Sequence, residues 1–169
     1  EFGGRVEVSR LGRATYPFHT DLTSSPVLDA VEAKHGSHLL PLMFPEGSPM
    51  HTSYGSGHAT VAGACVTMLK AFFDESAVIS NPVVPSADGQ SLEPYVGDPL
   101  TVGGELNKIA SNISQGRNIA GVHWRSDAVE SNKLGEEVAI GILRDIRSCF
   151  NESFNGFTLT KFDGTTITV

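Results

Sequence analysis

Apolar positions recur with helical spacing in three stretches of the chain. Residues 58–73 read His58-Ala59-Thr60-Val61-Ala62-Gly63-Ala64-Cys65-Val66-Thr67-Met68-Leu69-Lys70-Ala71-Phe72-Phe73, small or apolar on nearly every side. A helix apolar all round is a buried one, so this segment is expected to be the central helix. Ala62, Gly63 and Ala64 would let a neighbouring helix approach closely. Residues 103–119 keep helical period through Leu106, Ile109, Ala110, Ile113 and Arg117, and Gly121-Val122 interrupts it. Ser126 then reads as the cap of a last helix, with Asp127 favourable in its first turn. That helix is expected to run to about Phe150, with Leu134, Val138, Ile142 and Ile146 on one face.

Between these stretches the period breaks. Gly3-Gly4, Gly12 and Pro17 interrupt residues 1–23, whose Arg5, Arg10, Arg13 and His19 suggest a locally basic, solvated, extended arm. Ser24-Ser25-Pro26 looks like an N-cap followed by Pro at the first helical position, opening a short, weak helix that ends at Gly36. The Pro-rich residues 39–49 must be loop or extended chain. Residues 74–101 carry four prolines and read as a long surface excursion with a short extended piece over 78–84. At the end, Asp163-Gly164 between alternating β-formers is a strong hairpin signal. The expected fold is mainly α: a helical bundle of about four helices with a C-terminal β-hairpin, in a single domain over residues 1–169.

Composition changes this picture little. A chain of 169 residues, 40% hydrophobic and 18% charged, suits one ordinary globular domain with a sizeable core. A formal charge of -7 argues against a nucleic-acid binder, though not against a local cationic pocket. No apolar run approaches the roughly 20 residues of a membrane span, and no leader of secretory type is present. The chain starts at Glu1 without Met, as expected of a processed, trimmed or tagged product, and its compartment stays open. Two cysteines are too few for a disulfide framework; Cys65 is expected to be a small buried thiol, and Cys149 lies near a helix end.

The candidate chemistry lies at helix ends. In Gly55-Ser56-Gly57-His58 the glycines free the backbone to bring its N–H groups close to a ligand, and the following helix directs its positive end there. Ser56 adds a hydroxyl donor, and His58 in the first turn is placed to exchange a proton. Arg117 could bind an oxyanion through two parallel hydrogen bonds. His123 precedes the last helix, and Asp127 four residues on can reach back to one ring nitrogen, leaving the other free as ligand or nucleophile. Singly, each has a plainer reading as a capping turn, a solvated arginine or a local salt link. Together they equip a site to hold a tetrahedral oxyanion.

The two stretches resemble the second and third parts of the signature shared by vanadium-dependent haloperoxidases and the type 2 phosphatidic-acid-phosphatase-like acid phosphatases. That signature runs Lys-x6-Arg-Pro, Pro-Ser-Gly-His, and Ser-Arg-x5-His-x3-Asp; here Gly55 stands for the Pro and Gly116 for the Ser. The flanks, including Phe44-Pro45-Glu46-Gly47-Ser48-Pro49-Met50-His51 and Lys161-Phe162-Asp163-Gly164-Thr165-Thr166, are similar to the bromoperoxidases of marine algae and cyanobacteria. The resemblance implies vanadate as cofactor, in a site phosphate can also occupy, with His123 as axial ligand. It implies that Arg117, Ser56 and the Gly57 amide hold the oxygens, that His58 is the acid–base group, and that Asp127 orients His123. His51 would tune the pocket and Arg125 would sit within it. The implied partners are hydrogen peroxide, a halide and small organic acceptors, the product is a hypohalous-acid equivalent, and complete relatives are expected to be homo-oligomers. Vanadate would act as a Lewis acid without changing oxidation state.

No Arg-Pro dipeptide occurs in the chain, so the first signature part is absent. The chain resembles the C-terminal part of a longer enzyme, lacking two cationic oxyanion contacts. At about 1.5–3 kcal/mol per charge-assisted bond, binding would weaken by roughly two to four decades. Glu32, Asn132 and Lys133 read as polar residues on a formerly covered surface. Two alternatives stand beside an impaired bromoperoxidase: an acid phosphatase of the same superfamily, with His123 as nucleophile, and a non-catalytic excised or redesigned helical scaffold.

Overall fold

The computed structural model describes residues 2–13, 15–41, 49 and 51–169. Packing divides the chain into two compact units, 1–47 and 48–169. Most of the Pro-rich run 39–49, and Met50, lie outside the described residues.

The first unit holds α1 (Phe2–Arg10), the single turn α2 (Thr20–Thr23) and α3 (Pro26–His35). Ser25 caps α3, its Oγ accepting from the Val27 amide, Pro26 opens the helix, and Gly36 closes it at φ 71°. That helix is read correctly from Ser-Pro and Gly. The extended arm is not: residues 2–10 are helical. Their order rests on a contact distant in sequence. The Glu7 carboxylate accepts from the Arg10 guanidinium one turn on, and from both the backbone amide and the ring Nδ1 of His38, at 3.1 and 3.0 Å. Tertiary pairing thus overrides a glycine-rich start that disfavours helix.

The second unit is built on α4 (Gly57–Phe72), flanked by α5 (Val102–Ile119) and α6 (Arg125–Ser148). A Cβ on Gly63 would collide with the backbone of Asn132, and one on Gly135 with the backbone of Thr60 and Ala64. Two glycines therefore set how deeply α4 and α6 cross. Beyond the crossing, Ile140 and Leu143 of α6 pack with Leu159, Val169, Met68 and Ala71. On the other side of α4, Ala62 and Val66 pack on Ala110 and Leu106 of α5.

The excursion after α4 is more ordered than its prolines suggest. Val78 bridges Thr101 at its base, and β1 (Val83–Pro85) pairs antiparallel with β2 (Leu92–Pro94). The terminal hairpin forms as expected: β3 (Thr158–Thr160) and β4 (Thr166–Thr168) pair antiparallel, Leu159 opposite Ile167. Gly164 takes φ 87°, and the Asp163 carboxylate accepts from the Thr165 amide. Two further carboxylates dock this hairpin, Glu75 accepting from the Thr160 amide and Glu136 from the Phe162 amide. Lys70 is buried among them, 3.3 Å from Asn107 Oδ1 and 5.0 Å from the Phe162 ring centre. Burial pushes its pKa down and that of Glu136 up.

Three expectations fail here. The central helix is not buried all round: Val61, Cys65, Leu69 and Phe72, spaced along one face, are exposed, Phe72 at 81%. Small residues concentrate the contacts on the faces toward α5 and α6 and leave the third face open. Cys65 is therefore an exposed thiol, and both cysteines are free. Nor does Asn132 mark a solubilised surface. Glu32 lies 3.5 Å from Arg10 and 3.6 Å from His38, and the half-buried Asn132 donates to Ser114 Oγ at 2.9 Å. Only Lys133 is exposed, paired with Glu130. Among the described residues, no helix is long and apolar enough to cross a membrane.

Two outcomes are expected. Gly135→Ala should destabilise the protein by about 1–3 kcal/mol through overpacking, whereas Gly141→Ala on the same helix, where a Cβ meets open space, should stabilise it by about 0.5–1 kcal/mol; urea unfolding separates them. The Arg10 hydrogen bond first, then those from His38, hold the Glu7 carboxyl at about 2, well below its ordinary 4.5. Its contribution is therefore complete above 4.5 and is lost as pH falls toward 2. A carbon-13 titration of the Glu7 carboxyl should show that midpoint, with the His38 amide shifting in step, and Glu7→Gln should abolish both.

Candidate functional site

Ser56 is the N-cap of α4, with extended backbone angles of -78° and 108°. Its Oγ accepts from the Ala59 amide at 3.4 Å, and its carbonyl accepts from the Thr60 amide and hydroxyl. The Gly57 and His58 amides belong to the first turn, where helical N–H groups have no partner within the helix. A Cβ on Gly57 would meet open space. The end of α4 thus presents backbone donors and, through a Ser56 hydroxyl that accepts only one bond, a further O–H donor. His58 is exposed in this first turn.

His123 sits just before α6, its side chain only 1% exposed. Its Nδ1 lies 2.7 Å from the carbonyl oxygen of Ser53. A carbonyl can only accept, so Nδ1 carries a proton, and in the neutral ring Nε2 keeps its lone pair. The Asp127 carboxylate is farther from Nδ1, at 3.5 Å, and accepts from the Trp124 amide at 3.0 Å. This closes one half of a capping box. The cap residue of α6 is accordingly Trp124, not Ser126. The His51 ring stacks beside His123, centres 6.2 Å apart, and its own Nδ1 donates to the Thr52 carbonyl at 2.7 Å.

Arg117 lies in the last turn of α5, half-buried, its Nε fully buried with no hydrogen-bond partner among the described residues. Arg125 is the first residue of α6 and is exposed. Among the described residues, no hydrogen bond or ion pair ties His58, Arg117 or Arg125 to His123 or Ser56. Among the described residues the structure therefore joins His51, His123 and Asp127 by a stacked ring and close polar contacts, ties Ser56 to α6 through its amide on Ser131 Oγ, and leaves His58, Arg117 and Arg125 unattached to them.

Residues 27–152 match a family model described as the VCPO second helical-bundle domain. The chain belongs to the family of this helical-bundle domain. Its similarity to the vanadium-dependent bromoperoxidases of Corallina pilulifera and Corallina officinalis is 56% identity over 134 residues, 79% of this chain but 22% of each relative. The Ascophyllum nodosum bromoperoxidase is 38% identical over 143 residues, covering 26% of its length. A solved structure, the homohexameric second vanadate-dependent bromoperoxidase of Ascophyllum nodosum, superposes on 98% of this chain and 34% of its own, with a TM-score of 0.85 at 29% identity. The chain thus spans about a quarter of the curated bromoperoxidases it matches.

The residues gathered here fit an oxyanion. One buried imidazole offers a lone pair, the orphaned Arg117 Nε calls for an acceptor, and Gly57 adjoins open space. Vanadate and phosphate both supply acceptor oxygens.

Sequence reasoning missed Ser53 and Ser131. A backbone carbonyl has no side-chain signature, so Ser53 was beyond reach. Ser131 was not, because it lies four residues after Asp127 on the same helix face.

If Ser53 orients the imidazole, Asp127→Ala should cost about 1–2 kcal/mol in urea unfolding through the lost cap, yet leave His123 with its proton on Nδ1. Long-range nitrogen–proton spectra read the tautomer directly. A switch to Nε2–H would return the orienting role to Asp127.

Proposed function

We propose that this chain forms the vanadate-holding part of a bromoperoxidase that uses hydrogen peroxide to oxidise bromide to a hypobromous-acid equivalent, which small organic acceptors then take up. The observation that supports this reading is the Ser53–His123 hydrogen bond, which puts a proton on Nδ1 of a buried imidazole and leaves Nε2 for a ligand. Vanadate, when bound, supplies Lewis acidity that activates peroxide toward bromide. The protein's part is to hold, orient and move protons.

In this reading His123 Nε2 is the ligand. The Ser56 hydroxyl, the Gly57 amide and the Arg117 guanidinium donate to the oxygens and spread their charge. His58, at the end of the cradle, exchanges a proton with peroxide or with an oxygen of the held anion. His51 sets the polarity beside His123 through its stacked ring, Asp127 fixes the start of the helix that follows, and Arg125 stands at the rim. For the complete protein a homo-oligomer is proposed, by similarity to the Ascophyllum homohexamer.

Bromination of a phenol dye tests the reading. Turnover should require vanadate, peroxide and bromide together. His123→Ala should abolish it with vanadate affinity, and His58→Ala should lower turnover at least tenfold more than affinity, as expected for general acid–base catalysis worth about 10²–10⁴-fold. Phosphate-ester hydrolysis without vanadate would instead establish the phosphatase chemistry, and neither activity the inert scaffold.

A further inference from the structure

The loop 53–56 is held at both ends by residues of one later segment. At its start, the Ser53 carbonyl accepts from His123 Nδ1 at 2.7 Å. At its end, the Ser56 amide donates to Ser131 Oγ at 2.8 Å, across 75 residues of sequence. Ser131 is 3% exposed, and a Cβ on Gly55 would approach its Oγ to 3.0 Å. His123, Asp127 and Ser131 are spaced by four, so they lie along one side of the entry to α6.

From this geometry we propose that Ser131 is a positioning residue for the oxyanion cradle, a role that rests on the reading of the site given above. The Ser56 amide immediately precedes the Gly57 amide, and the peptide plane between Ser56 and Gly57 carries the N–H aimed at the anion. By taking up the Ser56 amide, Ser131 keeps that donor out of the cradle and fixes the plane that follows it. The same hydrogen bond ties the amide donors of α4 to the helix preceded by the His123 ligand, so both halves of the cradle keep one relative position. Removing Oγ leaves a buried N–H without its acceptor, which the loop can relieve only by turning.

Three variants test this in the whole chain: Ser131→Ala, Ser131→Thr, which keeps the hydroxyl, and Ser114→Ala. Ser114 Oγ is an equally buried hydroxyl that accepts from Asn132 and donates to the Ala110 carbonyl, away from the loop. Orthovanadate and inorganic phosphate affinities are read by vanadium-51 and phosphorus-31 NMR, alongside nitrogen-15 shifts and hydrogen exchange of the Ser56 and Gly57 amides and thermal unfolding. Ser131→Ala should weaken anion binding about five- to tenfold, the loss of one hydrogen bond, and speed exchange at Ser56. Ser131→Thr should recover most of the affinity, and Ser114→Ala should lower stability without changing it. Equal affinity loss in Ser114→Ala, or unchanged affinity and Ser56 exchange in Ser131→Ala, would overturn the proposal. Should the unsubstituted chain bind neither anion, the functional reading fails on its own; the clamp then stands on faster Ser56 exchange in Ser131→Ala and falls if that exchange is unchanged.

Discussion

The depth at which α4 and α6 cross governs the second unit. Gly63 lies against the backbone of Asn132, and Gly135 against the backbone of Thr60 and Ala64, so neither position has room for a side chain. Close packing of this kind transmits small displacements, because interiors do not compress. One turn toward the N-terminal ends of the helices, the same approach brings Ser56 within hydrogen-bonding distance of Ser131. Toward the C-terminal ends, it lets Met68 and Ala71 pack with Ile140 and Leu143, which in turn receive the terminal hairpin. A methyl group at the crossing would therefore be felt at the cradle and at the hairpin together.

Around the site, backbone groups act where a sequence pattern suggests side chains. The pattern His-x3-Asp reads as a carboxylate steering an imidazole, yet Asp127 Oδ2 makes its shorter contact to the Trp124 amide, and the Ser53 carbonyl is the nearer partner of Nδ1. The two functions are compatible. A carboxylate that caps the first turn of α6 fixes where that helix begins, and so where the preceding residue His123 stands. The carbonyl then selects the tautomer. In the proposed reading, offering His123 Nε2 to a ligand draws on both, one for place and one for proton.

Much of this was legible in the chain. Ser25-Pro26 with Gly36 marks α3, Asp163-Gly164 marks the hairpin, and the apolar period marks α4, α5 and α6. These are local signals with local causes. What sequence could not give depends on partners distant along the chain. The α1 helix needs Glu7 to meet His38, thirty-one residues on. The Ser53–His123 bond spans seventy residues and uses a carbonyl that every residue possesses. Periodicity also tells which residues of a helix are apolar, not whether anything covers them. Hence Val61, Cys65, Leu69 and Phe72 read as core and lie exposed.

That open face bears on the chemistry. His58 precedes Val61 by three residues and Cys65 by seven, so on a helix it shares their side. Ser56 is buried and turned toward Ser131, and His123 is buried against Ser53. Of the groups proposed to hold the anion, Ser56 and His123 thus sit inside the packing, whereas Gly57 and the proposed proton-exchanging group His58 are exposed. The proposed cradle is therefore anchored on its buried side and open to solvent where His58 stands. In the proposed reading solvent reaches His58 while Ser131 and His123 hold the loop beside it, so a change farther along the exposed face of α4, at Cys65 or Leu69, would leave both loop hydrogen bonds in place.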